Sequence, residues 1–268
     1  MFNLIANAAA AAESHGGGLT LMPAAACVKE EGANPYGMIP ALCDGGIVGQ
    51  LTFLVLMIMF VGTLYILFTK LLEQNKVMKQ GREVNTTFWR APTLAEGAAK
   101  LEKNSAFRQV VEDGLLANEQ HSKLTDPVEA HDWMHGTLDR SQGHINSKLN
   151  GGLSFLATVG STAPFVGLFG TVIGILRALV KIGASGQASI DTVAGPVGEA
   201  LIMTAVGLIV AVPAVLAFNW LQGRNKVIAR QLSTFANDVL GSIMSNGQVK
   251  PVTAAPAKAA PAAAPKKA

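Results

Sequence analysis

The chain has 268 residues, half of them hydrophobic, yet only 15% are Asp, Glu, Lys or Arg, for a formal net charge of +3. A soluble domain of the same apolar content carries about 25% charged residues, so the charge deficit argues against an ordinary soluble enzyme and for a membrane protein. The apolar content excludes a disordered chain and the two cysteines exclude a disulfide-dense scaffold.

Residues 1–46 form an extension that is not a good signal peptide: there is no basic n-region, and the apolar stretch Leu4 to Ala12 is short and alanine-rich. A first charge-free stretch follows from Ile47 to Thr69, bulky with Leu, Met and Phe, and is expected as transmembrane helix 1 with a lipid-facing surface. Residues 70–150 carry eleven basic and eleven acidic residues. Apolar residues recur there at helical rather than alternating spacing: Leu94, Leu101, Phe107, Val110, Val111 and Leu115, then Met134, Leu138, Ile145, Leu149 and Leu156. The second stripe predicts a long helix that runs on into the next span, despite Gly143, Gly151 and Gly152. Charge is absent again from Gly151 to Leu176, in a transmembrane helix expected over 151–180, and from Ala200 to Gln222, in one expected over 196–222 and started by Gly195-Pro196. Residues 181–195 connect them. A helix over 223–248 and an Ala/Pro/Lys tail over 249–268, whose composition reads as disordered, complete the chain.

About 20 apolar residues span the roughly 30 Å of hydrocarbon, so each of the three stretches qualifies. The expected fold is therefore an all-α membrane protein with three transmembrane helices. The second span carries Thr158, Ser161, Thr162 and Thr171 with Gly167, Gly170 and Gly174; the third carries Thr204 and Gly207. Small residues let backbones approach and hydroxyls bond across helices, which places these two spans at a helix–helix interface or a polar lumen. Lysine and arginine set the direction. One precedes the first span, eleven lie in 70–150, two (Arg177 and Lys181) lie between the second and third charge-free stretches, and seven from Arg224 onward. Basic loops stay in the cytoplasm, so the N-terminus is expected outside, with 70–150 and the tail inside. Cys27 and Cys43 then lie in a compartment that permits disulfides, and either pair around the Pro35-Tyr36-Gly37 turn or remain two separate thiols; spacing alone does not choose.

His131-Asp-Trp-Met-His135 places two imidazoles one helical turn apart, a zinc-compatible spacing, but without an evident third ligand and on what reads as a solvated helix face. No metal, cofactor, nucleophilic triad or nucleic-acid site is expected, and the chain reads as a non-enzyme. The tail's cations are suited to anionic membrane lipid. Glu199 is the carboxylate closest to a span. Two readings stand: an intramembrane charge, costly and functional by default, or a carboxylate favoured by the dipole in the N-terminal turn of the third span.

The run Leu156-Ala-Thr-Val-Gly-Ser-Thr-Ala-Pro-Phe-Val-Gly-Leu-Phe-Gly-Thr-Val-Ile-Gly-Ile175 closely resembles the second transmembrane helix of the ExbB/TolQ/MotA proton-channel family. Val193-Ala-Gly-Pro-Val-Gly-Glu-Ala-Leu-Ile-Met-Thr204 and the run on to Phe218-Asn219 continue the resemblance, which extends from Leu149 to Trp220. Three spans, with the large insert between the first and second, argue against a four-span flagellar stator. Within the family the ExbB branch is the nearer likeness, with TolQ as the alternative. The resemblance implies a homopentameric ring whose second and third helices line a pore. An ExbD-like single-span partner would carry a protonatable Asp inside it, and a TonB-like protein would be energised for outer-membrane uptake of iron-siderophores or vitamins. It further implies pore roles for Thr171, Thr204 and Glu199: hydrogen-bonding hydroxyls near the partner's acid for the threonines, and a gating or assembly carboxylate for Glu199. A passive scaffold without ion flow is the rival from another class.

Residues five apart on a helix lie about 140° apart, so Glu199 and Thr204 cannot both face a narrow lumen. Thr204 shares a small-residue face with Ala200, Gly207, Leu208 and Ala211 and is expected toward the lumen; Glu199 is expected at the external mouth or at the seam between subunits. A single carboxylate makes no relay, so the titrating acid must come from a partner.

Overall fold

A computed structural model describes residues 46–125, 129–186 and 190–251. Cys27, Cys43, the extension and the tail beyond 251 lie outside the described residues. Six α-helices account for nearly all of the rest: α1 (Gly46–Glu83), α2 (Leu94–Lys100), α3 (Ala106–His121), α4 (Ala130–Asn150), α5 (Leu153–Ser185) and α6 (Ile190–Met244). A π-helical turn, Val84–Phe88, follows α1. No strand occurs among the described residues. Three stretches are long and apolar enough to cross a membrane: Gly46–Phe88, Ala130–Ala184 and Val193–Met244.

The chain forms two compact units, one comprising the described residues of 46–68 and 152–220, the other 69–151 and 221–251. In the span unit, α5 and α6 run antiparallel with their backbones almost touching. A Cβ added to Gly167 would sit 2.7 Å from the Met203 carbonyl oxygen, one on Gly207 2.9 Å from that of Ala163, and one on Gly160 2.5 Å from a Val215 methyl. Gly174 meets Ala200 and Pro196 in the same register. Glycine is what permits this approach, because any side chain would separate the two helices. Leu56 of α1 packs with Val159, Ala163, Val210, Ala211 and Ala214. The outer faces are apolar and uncovered: Tyr65 is 70% exposed and Phe165 69%, with Leu201, Ile209 and Leu216 similarly open. Water would not tolerate that surface; lipid or neighbouring chains do.

The charged unit follows the opposite rule. Phe88, Trp89, Phe107 and Phe235 meet edge to face with ring centroids 4.7–5.8 Å apart. Around them Val110, Val111, Met134, Leu138, Ile145 and Leu149 are buried, and Leu94 and Leu115 pack against them, so the first predicted stripe and the second as far as Leu149 form the core, while Leu156 belongs to the span unit. Trp133 donates its indole N–H to the Ala117 carbonyl at 3.0 Å, and the Ser141 hydroxyl donates to Asp113 at 2.6 Å, pinning α3 to α4.

Two expectations change. The helix predicted to run from the second stripe on into the second span is interrupted: α4 ends at Asn150, and Gly152 takes a left-handed conformation with φ +84°. A residue without Cβ enters that region at no steric cost, and α4's last carbonyls find other partners. The Lys70 ammonium donates to the Lys148 carbonyl at 2.9 Å, and the Asn225 amide to that of Leu149 at 3.1 Å. Asn225 also donates to the exposed Asn150 and accepts from Gln74, which donates in turn to the Leu221 carbonyl, so the buried Gln74 and Asn225 form an amide knot beside the end of α4. The third span also begins earlier than Gly195-Pro196: α6 starts at Ile190, with Pro196 and Pro213 inside it.

Candidate functional site

Each of the three residues singled out from sequence belongs to the span unit. Because α6 begins at Ile190, Glu199 lies more than two turns into the helix, past the orphan N–H groups of its first turn. The capping reading fails for that reason. Glu199 is 3% exposed. Its Oε1 lies 2.7 Å from where a Cβ on Gly49 would stand, so the carboxylate lies against the bare backbone of α1. Across from it, Arg177 of α5 places Nη1 at 3.8 Å from the same oxygen. Glu199 is thus enclosed among the three span helices of its own chain. The physical reason is Gly49, whose missing side chain leaves a pocket of carboxylate size.

Thr171 is almost fully buried, and its hydroxyl donates to the Leu168 carbonyl at 2.6 Å, one turn back along α5. Thr158, Ser161 and Thr162 bond backward in the same way, to Ser154, Ala157 and Thr158 carbonyls. Such bonds satisfy an intramembrane hydroxyl without a cross-helix partner; each oxygen keeps lone pairs for an incoming donor. Thr204 is half-buried at the closest approach of the two helices, its Cα 3.4 Å from where a Cβ on Gly167 would stand. Its small-residue neighbours Ala200, Gly207 and Ala211 are buried against α5, while Leu208 is exposed. That face serves close packing first, and Thr204 sits at its margin.

Two features were missed in the sequence. Arg177 reads there only as the charge that ends the second span, and Gly49 only as a small residue near the start of the first. The nearest available signal was a lone Arg beside a lone Glu on consecutive spans joined by a short connection. The histidine pair carries no comparable site. His131 and His135 stack with centroids 6.0 Å apart on an exposed face, and no group of three or more potential ligands occurs among the described residues.

Long apolar helices with uncovered outer faces, packed through glycine and carrying back-bonded hydroxyls, define a multi-pass membrane protein. The chain belongs to the MotA/TolQ/ExbB proton channel family, whose sequence pattern matches residues 102–234. It is 41% identical to a biopolymer transport protein ExbB of Xanthomonas campestris pv. campestris over 177 residues, covering 62% of this chain and 70% of that protein. A Neisseria gonorrhoeae biopolymer transport protein ExbB is 46% identical over 118 residues, 44% of this chain and 54% of the relative. A Tol-Pal system protein TolQ of Haemophilus influenzae is 32% identical over 177 residues, covering 61% and 75% respectively. Over the same aligned length, ExbB is the nearer likeness. With three spanning helices and this family, the chain is a multi-pass protein of the bacterial inner membrane.

Proposed function

We propose that the chain is the pore-forming subunit of a proton-driven motor of the inner membrane, in which several copies, a pentamer by family resemblance, surround an ExbD-like single-span helix. In this reading the N-terminus lies outside and the charged unit in the cytoplasm, as the eleven basic residues of 70–150 favour. The motor energises a TonB-like protein for outer-membrane uptake of iron-siderophores or vitamins, in line with relatives named for biopolymer transport.

One observation carries the proposal. The charge-free spans contain hydroxyls but no carboxylate, and Glu199, the acid that adjoins the third, is enclosed with Arg177. A proton crossing here has a hydrogen-bonding wall and no titrating group of the chain's own in the wall, so the acid is supplied by a partner. Thr171 and Thr204 line its path, and Glu199 is an assembly or gating carboxylate. No step calls for a cofactor or a covalent intermediate, and the chain acts as a conduit rather than an enzyme.

The test is complementation with the chain and its small partner in a bacterium lacking ExbB and ExbD. Iron-siderophore uptake is expected to return, to stop on adding a protonophore, and to be abolished by Glu199→Ala. Restoration of envelope integrity in a strain lacking TolQ, without restored uptake, would instead assign the chain to the Tol-Pal system. Rescue that survives the protonophore would make it a scaffold.

A further inference from the structure

Arg177 closes an otherwise charge-free run, and the structure turns it back toward the bundle. Its guanidinium Nη2 lies 3.0 Å from where a Cβ on Gly46 would stand, while Glu199 Oε1 lies 2.7 Å from the same point on Gly49. Gly46 and Gly49 are three residues apart on α1 and so share one face. The two bare positions form a socket: one receives the cation, the other the anion, and each lacks the Cβ that would displace its occupant. Gly46 also has φ +58°, a conformation that L side chains rarely adopt.

We infer that Arg177 is a positioning residue that holds the Glu199 carboxylate as a fixed anion in the Gly46/Gly49 socket, so that Glu199 ties the three span helices of one chain together and exchanges no proton with the pathway. A carboxylate this enclosed stays ionised only with a counter-charge. Among the described residues, Gly46 and Gly49 from α1, Arg177 from α5 and Met203 on α6 lie against the cluster; Arg177 is the charged one of these, and Lys181, a turn further along α5, is exposed. The separation of 3.8 Å is too long for a charge-assisted hydrogen bond, and the buried Nη1 has no hydrogen-bond partner among the described residues. The pair is thus held by the socket rather than by a bidentate clasp, which makes the glycines part of the device.

The inference deepens the proposed motor function and depends on it for the uptake readout alone; an infrared readout stands apart from transport. The full-length chain is purified with its small partner, reconstituted in lipid vesicles, and compared with Arg177→Gln, Arg177→Lys and Glu199→Gln by infrared difference spectroscopy at neutral pH. The protonated-carboxyl stretch of Glu199 is assigned by its loss in the Glu199→Gln background. Wild type is expected to show no such stretch; Arg177→Gln is expected to show it, and Arg177→Lys to suppress it again. Uptake should be largely lost in Arg177→Gln, because removing one partner leaves the enclosed charge uncompensated, and should recover substantially in Arg177→Lys. A protonated Glu199 in wild type overturns the inference, as does an ionised one in Arg177→Gln. If Arg177→Gln fails to assemble, the wild-type spectrum and Arg177→Lys still decide. Absent uptake in wild type would defeat the motor reading and leave the infrared result to judge this one.

Discussion

The span unit and the charged unit are both helical, yet they are held together by opposite means. The charged unit buries Phe88, Trp89, Phe107 and Phe235 and turns its ion pairs to water: Lys76–Glu102, Lys79–Glu83 and Lys123–Glu119 are all well exposed. The span unit turns Phe165, Leu201 and Ile209 outward and packs through Gly160, Gly167 and Gly207. Apolar surface is a driving force only where water is the alternative. Where lipid is the alternative, close backbone approach replaces it, so side-chain bulk that stabilises one unit destabilises the other.

Truncating bulk tests the first half of that contrast. Phe235→Ala removes the ring that touches Phe88, Trp89 and Phe107, and should cost about 3–5 kcal/mol of the charged unit's stability. Thermal unfolding of the charged unit, followed by near-ultraviolet circular dichroism, should show the drop. Adding bulk tests the second half. Gly167→Ala forces a Cβ to 2.7 Å from a backbone oxygen, and by overpacking should cost about 1–3 kcal/mol, read as loss of assembled complex in detergent. The same substitution at Gly136 of α4, where nothing lies within 4 Å, should stabilise by about 0.5–1 kcal/mol through helix propensity. Equal responses at the two glycines would erase the distinction.

Thr171→Val leaves the helix ladder intact and removes only a back-bond, so assembly should change by less than about 1 kcal/mol. Uptake is nevertheless expected to fall, because the hydroxyl's remaining lone pairs are lost; wild-type uptake would confine Thr171 to packing. The smallest effect concerns Asp238, whose carboxyl partial burial pushes above its ordinary value of 3.8. An acid raised in the folded state binds its proton more tightly there, so its unfavourable contribution is absent below pH 3.8 and develops as pH rises through the folded value. Asp238→Asn should therefore stabilise by less than about 0.5 kcal/mol at neutral pH, with no gain at pH 3. Paired melting curves at the two pH values check it.

The spans were legible because absence of charge over 20 residues is an all-or-none signal, and the stripes from Leu94 to Leu149 because burial imposes a helical period. The break at Gly151-Gly152 was not legible. Glycine is tolerated inside packed helices and also stops them, and the outcome turned on whether Lys70 and Asn225, distant in sequence, could take the freed carbonyls. At the site, Glu199 was visible as the solitary acid. Its enclosure was not, because Gly49 contributes by lacking atoms and Arg177 reaches it only once α5 and α6 lie antiparallel. The threonines were found by chemistry, while their backward bonds depend on rotamers that residue type does not set.

The amide pair of Gln74 and Asn225 carries no net charge and is buried. Dissolved ions weaken the exposed lysine–glutamate pairs within a Debye length of about 8–10 Å, but have nothing to shield in neutral amides. The Gln74–Asn225 contact therefore keeps its geometry through swings in ionic strength that loosen the ion pairs on the protein's surface.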